Sequence, residues 1–108
     1  MTVREFSNKS GFAPLTMPDG DREITGAYIG DLLSWVMGRA TSGDAWVTIM
    51  SNINVVAVAS LADTACVIIA ENVALADDVI STASEKGVNI LSADCGAYAA
   101  ACKLKELI

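Results

Sequence analysis

The sequence contains no histidine. The usual base for a catalytic serine or cysteine is therefore missing, and so is the commonest transition-metal ligand. Basic residues are scarce: seven Lys and Arg stand against thirteen Asp and Glu, a formal charge of −6, and Lys103 and Lys105 are the nearest thing to a cluster. Binding a phosphate backbone takes clustered cations, so nucleic acid is not an expected partner. Long apolar runs are lacking too. The longest candidate, Val55 to Ala62, has eight residues with Ser60 inside it, far short of the roughly 18–20 a membrane span needs. Arg4, Glu5, Asn8 and Lys9 leave no apolar core for a signal peptide at the N-terminus. A cytoplasmic, unprocessed chain with no membrane contact is expected. Cysteine is limited to Cys66, Cys95 and Cys102, an odd count without a CxxC pair. Cys66 in an apolar strand pattern and Cys102 on a helix face read as small buried hydrophobes. Cys95 falls at a helix start, where a thiolate would be stabilised.

What is present is ample apolar content, 53% of 108 residues, enough for one core in a single domain spanning 1–108. It is too short for a dinucleotide-binding fold with a substrate domain. The spacing predicts a helix over Thr2–Ser10, with Thr2 and Glu5 forming a capping box and Gly11 ending it. A strand over Phe12–Met17 and a Pro18-Asp19-Gly20 turn follow. The chain centres on Arg22–Ala40: a strand over Arg22–Ala27 running into a Thr25-Gly26 turn, then a helix over Asp31–Arg39 with Asp31 as N-cap. Leu32, Leu33, Trp35, Val36 and Met37 are apolar all round that helix, so at least two of its faces should be covered.

Beyond it the pattern is regular. Ser42-Gly43-Asp44 reads as a loop and Ala45–Met50 as a buried strand. Asn52 opens a helix over Val55–Leu61 that stops near Asp63. Cys66–Ala70 has the β-branched continuity of a strand buried on both faces. Asp77–Lys86 reads as an amphipathic helix with Val79, Ile80 and Ala83 inward and Gly87 as its C-cap. Val88–Leu91 is another strand, and a last helix over Gly96–Leu107 is expected to bury Tyr98, Ala99, Cys102 and Leu104. This alternation implies βαβ units, an α/β domain with a largely parallel sheet and helices on its faces.

Three features carry candidate function. Gly26-Ala-Tyr-Ile-Gly30 before Asp31 invites a phosphate-loop reading, but GxxxxGK[ST], GxGxxG and a nearby lysine are all missing, and an acidic cap repels phosphate. A structural turn using Thr25 and Gly26 is the competing role. The carboxyl edge of a parallel sheet is where ligands bind, and there the order of elements gathers Ser51, Asn52, Asn54, Glu71, Asn72, Ser92, Asp94 and Cys95. The set suits a small polar ligand, with helix capping by Asn52 and Asp94 as the alternative. Thr25, Gly26, Asp31, Asn52, Asn54, Glu71 and Asp94 are the ligand-binding candidates, and Glu71 with Asp94 could do acid–base work if they face each other. No catalytic residue, cofactor or metal is expected. Finally, Trp35, Met37, Trp46 and Met50 exceed what a small domain hides, which points to a homodimer.

The stretches ITGAYIGDLLSWVMGRA, GDAWVTIMSNINVVAVASLAD and ACVIIAEN resemble the DRTGG domain family from about Arg22 to the C-terminus. The strongest parts are Thr25-Gly26, Gly30-Asp31-Leu32-Leu33-Ser34 and the Val55–Leu61 helix before a β-branched strand. Arg22-Glu23-Ile24-Thr25-Gly26-Ala27 departs from the name-giving motif, with one glycine where the family has two. The chain is similar to the stand-alone members found beside iron-only hydrogenase genes. The resemblance implies a three-layer α/β/α fold like the N-terminal domain of HPr kinase/phosphorylase, a dimerising role as between the CBS domains of regulatory pyrophosphatases, and no established catalytic residues. The P-loop half of HPr kinase has no counterpart here, so a kinase is not expected. The first functional reading is a non-enzymatic regulatory or assembly module, a homodimer acting through protein contacts in a hydrogenase or redox system. The alternative is a sensor of a nucleotide or polar metabolite near Asn52, Glu71 and Asp94. A hydrolase using Glu71 and Asp94 is a third.

Overall fold

Thr2 holds extended backbone and accepts the Glu5 N–H on its hydroxyl, while the Glu5 carboxylate accepts the Thr2 N–H at 2.9 Å. This reciprocal box starts α1 (Val3–Ser10), and its bonds from Thr2 hold the Glu5 carboxyl below the usual range. Gly11 ends the helix in the left-handed region, at φ 79°. The computed structural model describes Met1–Ile108 and continues through β1 (Ala13–Thr16), β2 (Gly26–Ile29), α2 (Leu33–Arg39), β3 (Asp44–Thr48), α3 (Asn54–Ala62), β4 (Cys66–Ile69), α4 (Asp77–Glu85), β5 (Ile90–Ser92) and α5 (Ala97–Leu107).

The five strands form one sheet in the order β1-β5-β4-β3-β2. β2, β3, β4 and β5 run parallel, and β1 adds antiparallel to β5. Side chains alternate across the strands, so the central strands β3, β4 and β5 feed two cores. On one face Ala45, Val47, Cys66, Ile68 and Leu91 meet Val3 and Phe6 of α1 and Ala100 and Leu104 of α5. On the other Trp46, Val67, Ile69 and Ile90 meet Val36 of α2, Val55, Val56 and Ala59 of α3, and Val79 and Ala83 of α4. The architecture is the expected three-layer α/β/α arrangement. β4 is fully buried on both faces, and burying Ile68 and Ile69 contributes about 1.5–3 kcal/mol each. No helix is long and apolar enough to cross a membrane.

Four local expectations are corrected. The strand after the Pro18-Asp19-Gly20 turn begins at Gly26, where a turn was expected. Arg22–Ile24 is extended, but it pairs with the start of α1: Val3 donates to the Arg22 carbonyl and Ile24 to the Met1 carbonyl, both at 2.9 Å. Asp31 does not cap α2. Leu32 occupies that position without a side-chain bond, and the Asp31 carboxylate instead accepts the Thr48 hydroxyl at 2.8 Å and the Ile49 N–H at 3.0 Å. That bond also takes Ile49 out of the ladder, so β3 stops at Thr48, short of the expected Met50.

α2 is covered on one face only. Val36 is buried, whereas Leu32, Trp35 and Met37 are 57, 51 and 43% exposed, and the Arg39 guanidinium lies 3.6 Å over the Trp35 ring. Trp46 and Met50 do not belong with this surplus, since Trp46 is fully buried and Met50 half-buried. In α5, Ala100 and Leu104 face the core while Tyr98, Ala99 and Cys102 face solvent. Alanines on both sides of that helix leave two apolar stripes, and the large tyrosine marks the outer one.

Candidate functional site

The later start of β2 divides the candidate residues between opposite ends of the sheet. Thr25 and Gly26 stand at the amino end. There Thr25 donates its N–H to the Gly43 carbonyl at 3.0 Å and its hydroxyl to the Ser42 carbonyl at 3.5 Å. Gly43 has φ 88°, and a Cβ there would collide with the Thr25 hydroxyl, so this close crossing of loop and strand requires glycine. Asp63, left-handed at φ 58°, closes the same end. Its carboxylate accepts Arg22 at 3.0 Å and the Ser42 hydroxyl at 2.6 Å, and those two bonds hold its carboxyl below the usual range. This end is a polar latch between loops. It cannot share a ligand with the carboxyl edge.

Asp31, Asn52, Asn54, Glu71 and Asp94 follow strand C-termini or the loops leading from them, as the alternation of elements requires. Asp31 ties β2 to β3 as described. The Asn52 side chain accepts the Asn54 N–H at 2.9 Å, so Asn52 shapes the entry to α3, its alternative role. Glu71 and Asn72 hold successive left-handed conformations, φ 62° and 53°, uncommon for residues with a Cβ. They are held because Glu71 donates its N–H to Cys95 and Asn72 to Ala93, at 2.8 and 2.9 Å. The loops after β4 and β5 are thereby laced together.

Asn72, Ser92 and Asp94 line a polar hollow of about 160 Å³ whose remaining wall is Gly11, Phe12 and Ala13. The Glu71 carboxylate lies elsewhere, against Gly96, where a Cβ would come within 2.6 Å of it. Gly96 precedes α5, which has no side-chain cap, so Glu71 supplies negative charge at that helix start. Glu71 and Asp94 thus do not line one cavity. Every buried side-chain nitrogen and oxygen has a hydrogen-bond partner, and no three carboxylates or thiols gather as a metal site would need. Of the thiols, Cys66 is fully buried, Cys95 half-buried and Cys102 exposed, which corrects the expected burial of Cys102. The wall from Gly11 to Ala13 was missed because the antiparallel addition of β1 to β5 is a long-range pairing. A second hollow was missed as well. It is an apolar groove of about 400 Å³ between α5 and β2, lined by Ala27, Ala101, Leu104, Lys105 and Ile108.

The geometry defines a three-layer α/β/α domain with a small polar hollow at the carboxyl edge of its sheet. No protein-family model matches the chain, and no curated protein matches it either. Among solved structures, it is similar to the CBS and DRTGG domains of the regulatory region of the Clostridium perfringens pyrophosphatase, complexed with its activator diadenosine tetraphosphate. The TM-score is 0.74 at 7% identity, over 95% of this chain and 45% of that one. The chain therefore spans less than half the length of that structure. Its fold is DRTGG-like, as the sequence resemblance implied.

Proposed function

We propose that the chain is a non-enzymatic regulatory module that works as a homodimer. The observation that carries this reading is the uncovered apolar border of the sheet, where Ile29, Leu32, Trp35 and Met37 are each about half exposed. Four large apolar side chains exposed within nine residues are more than scattered single exposures, and such surface marks a contact site. The similar solved structure belongs to a regulatory region, which fits such a role, while association with a hydrogenase or redox system rests on the sequence resemblance alone. Sedimentation velocity at micromolar concentration should give twice the 11.2 kDa chain mass. A monomer there refutes the reading.

The hollow beside Asp94 favours a second reading, a sensor of a small polar metabolite. At about 160 Å³ it is below the roughly 300–1,000 Å³ of drug-sized sites, so it would admit a small polar group and not a whole dinucleotide. A ligand at 100 times its Kd stabilises a folded protein by about 2.7 kcal/mol. A thermal-shift screen of nucleotides and polar metabolites should then find a stabiliser whose effect Asp94→Ala abolishes without lowering the unliganded Tm. If Asp94→Ala leaves the gain intact, the ligand binds elsewhere.

A further inference from the structure

The two edges of the sheet are built differently. β1 carries Pro14, and its register with β5 slips between Pro14 and Thr16. Both devices discourage further pairing. β2, at the other edge, reads Gly26-Ala27-Tyr28-Ile29, with no charge, no proline and a regular register against β3. Ala27 is exposed and Ile29 is 50% exposed. An uncharged, regular, uncovered edge is a template for another strand. Gly30 donates its N–H to the Val47 carbonyl at 3.2 Å, and alternation along the strand turns the N–H and C=O groups of Ala27 and Ile29 away from β3.

We propose that β2 pairs antiparallel with β2 of a second copy about a two-fold axis at Tyr28, each Ile29 filling the groove beside Ala27 of the other copy. This rests on the homodimer reading above and assigns it a face and a register. Residues opposite one another in an antiparallel pair point to the same side of the sheet. Ala27 and Ile29 share the α5 side, paired in register with Ala45 and Val47 of that core, whereas Tyr28 packs on the α2 side. An axis at Tyr28 sets Ala27 opposite Ile29 of the partner subunit. Ala27 is one wall of the apolar groove of about 400 Å³ formed with Ala101, Leu104 and Ile108.

Knob and groove lie two residues apart on one strand, so each copy offers both and a closed pair satisfies both, the condition for an isologous interface. The charges suit it. β2 itself carries none, so pairing it with a second β2 buries no charge on the strand. A stable interface takes about 800 Å² per partner, about the whole of one side of a body measuring 30 × 26 × 25 Å, so the contact must extend from β2 over the flanking α2 and α5. An axis at Ala27 would instead oppose Ala27 to itself and leave both grooves empty.

The test uses the full chain with Cys95→Ser and Cys102→Ser, oxidised by copper phenanthroline. Tyr28→Cys should form a covalent dimer, because the facing pair on the axis has its side chains closest. Leu61→Cys, exposed on α3, should stay monomeric on a denaturing gel. Chains bearing Ala27→Cys and Ile29→Cys should cross-link when mixed, which reads the same register without altering Tyr28. Ile29→Asp should weaken dimerisation roughly 100-fold or more, since it removes the apolar knob and sets a carboxylate among apolar groove walls with only the exposed Lys105 nearby. If the unmodified chain is dimeric yet none of the β2 cysteines cross-link and Ile29→Asp stays dimeric, the register falls and the homodimer reading stands. A monomeric unmodified chain overturns both.

Discussion

Replacing Trp46 by alanine should lower the unfolding free energy by about 3–5 kcal/mol, the range for deleting a large buried aromatic side chain. The whole domain has only about 5–15 kcal/mol to lose. Trp46 lies at the centre of β3, fully buried among Val36, Val55 and Ile69 on the α2 side of the sheet. Its indole N–H donates to the Gly30 carbonyl at 2.8 Å. Gly30 is where the chain leaves β2 for α2, so one side chain both fills the core and fixes the turn beside the edge strand. Trp46→Phe separates these roles. It keeps much of the ring and leaves the half-buried Gly30 carbonyl without its donor, which costs at most the roughly 1–3 kcal/mol of a fully buried group. Urea unfolding followed by far-UV circular dichroism measures both variants, with no reliance on tryptophan emission. A loss below about 1 kcal/mol for Trp46→Ala would show that the β2–α2 connection is anchored by other contacts.

That anchoring was not legible in the sequence, and the reason is general to this chain. Features set within a few residues could be read: the Thr2–Glu5 box, the left-handed Gly11, the two-sided burial of Cys66–Ile69 and the inward Val79 and Ala83 all follow from local spacing. Features decided by a distant partner could not. Asp31 has the position and chemistry of an N-cap, yet Thr48 and the Ile49 N–H compete for the same carboxylate and win it. Thr25-Gly26 has turn chemistry, but the register of β2 with β3 makes Gly26 a strand residue facing Asp44. The same holds for the sites. Membership of the carboxyl edge followed from the order of elements for Glu71 and Asp94. Their separation, one against Gly96 and one in the hollow with Gly11–Ala13, depends on successive left-handed residues and on the antiparallel strand β1. The apolar surplus was legible as an excess, but its location was not. Trp46 went inside, and the excess came to rest on α2 and the bare edge of β2.

Raising the pH from 9 to 12 should destabilise the fold through Cys66 by about 1.4 kcal/mol per pH unit, roughly 4 kcal/mol over the interval. Cys66 is fully buried in β4, and burial pushes its thiol from the ordinary 9.0 up to about 12. Below pH 9 the thiol is protonated in both the folded and unfolded chains, so the full stability is present. Between 9 and 12 the unfolded chain releases this proton and the folded chain does not. The unfolded state then binds fewer protons, and stability falls as pH rises. Once the pH passes the folded value, both states are ionised and this contribution stops changing. The informative quantity is the difference between the wild type and Cys66→Ala, in which every contribution the two chains share cancels. The variant should begin less stable at pH 7, because it loses buried volume, and should then lose less per pH unit, so that the two curves converge as the pH rises and cross before pH 12. Parallel curves would mean that the Cys66 thiolate is tolerated in the folded sheet. Iodoacetamide gives the kinetic counterpart at pH 8: Cys102 and Cys95 should be labelled in the native protein, and Cys66 only at the rate at which β4 is exposed by unfolding. Rapid labelling of Cys66 would show that the centre of the sheet opens without global unfolding, and the alkaline loss would then be correspondingly smaller.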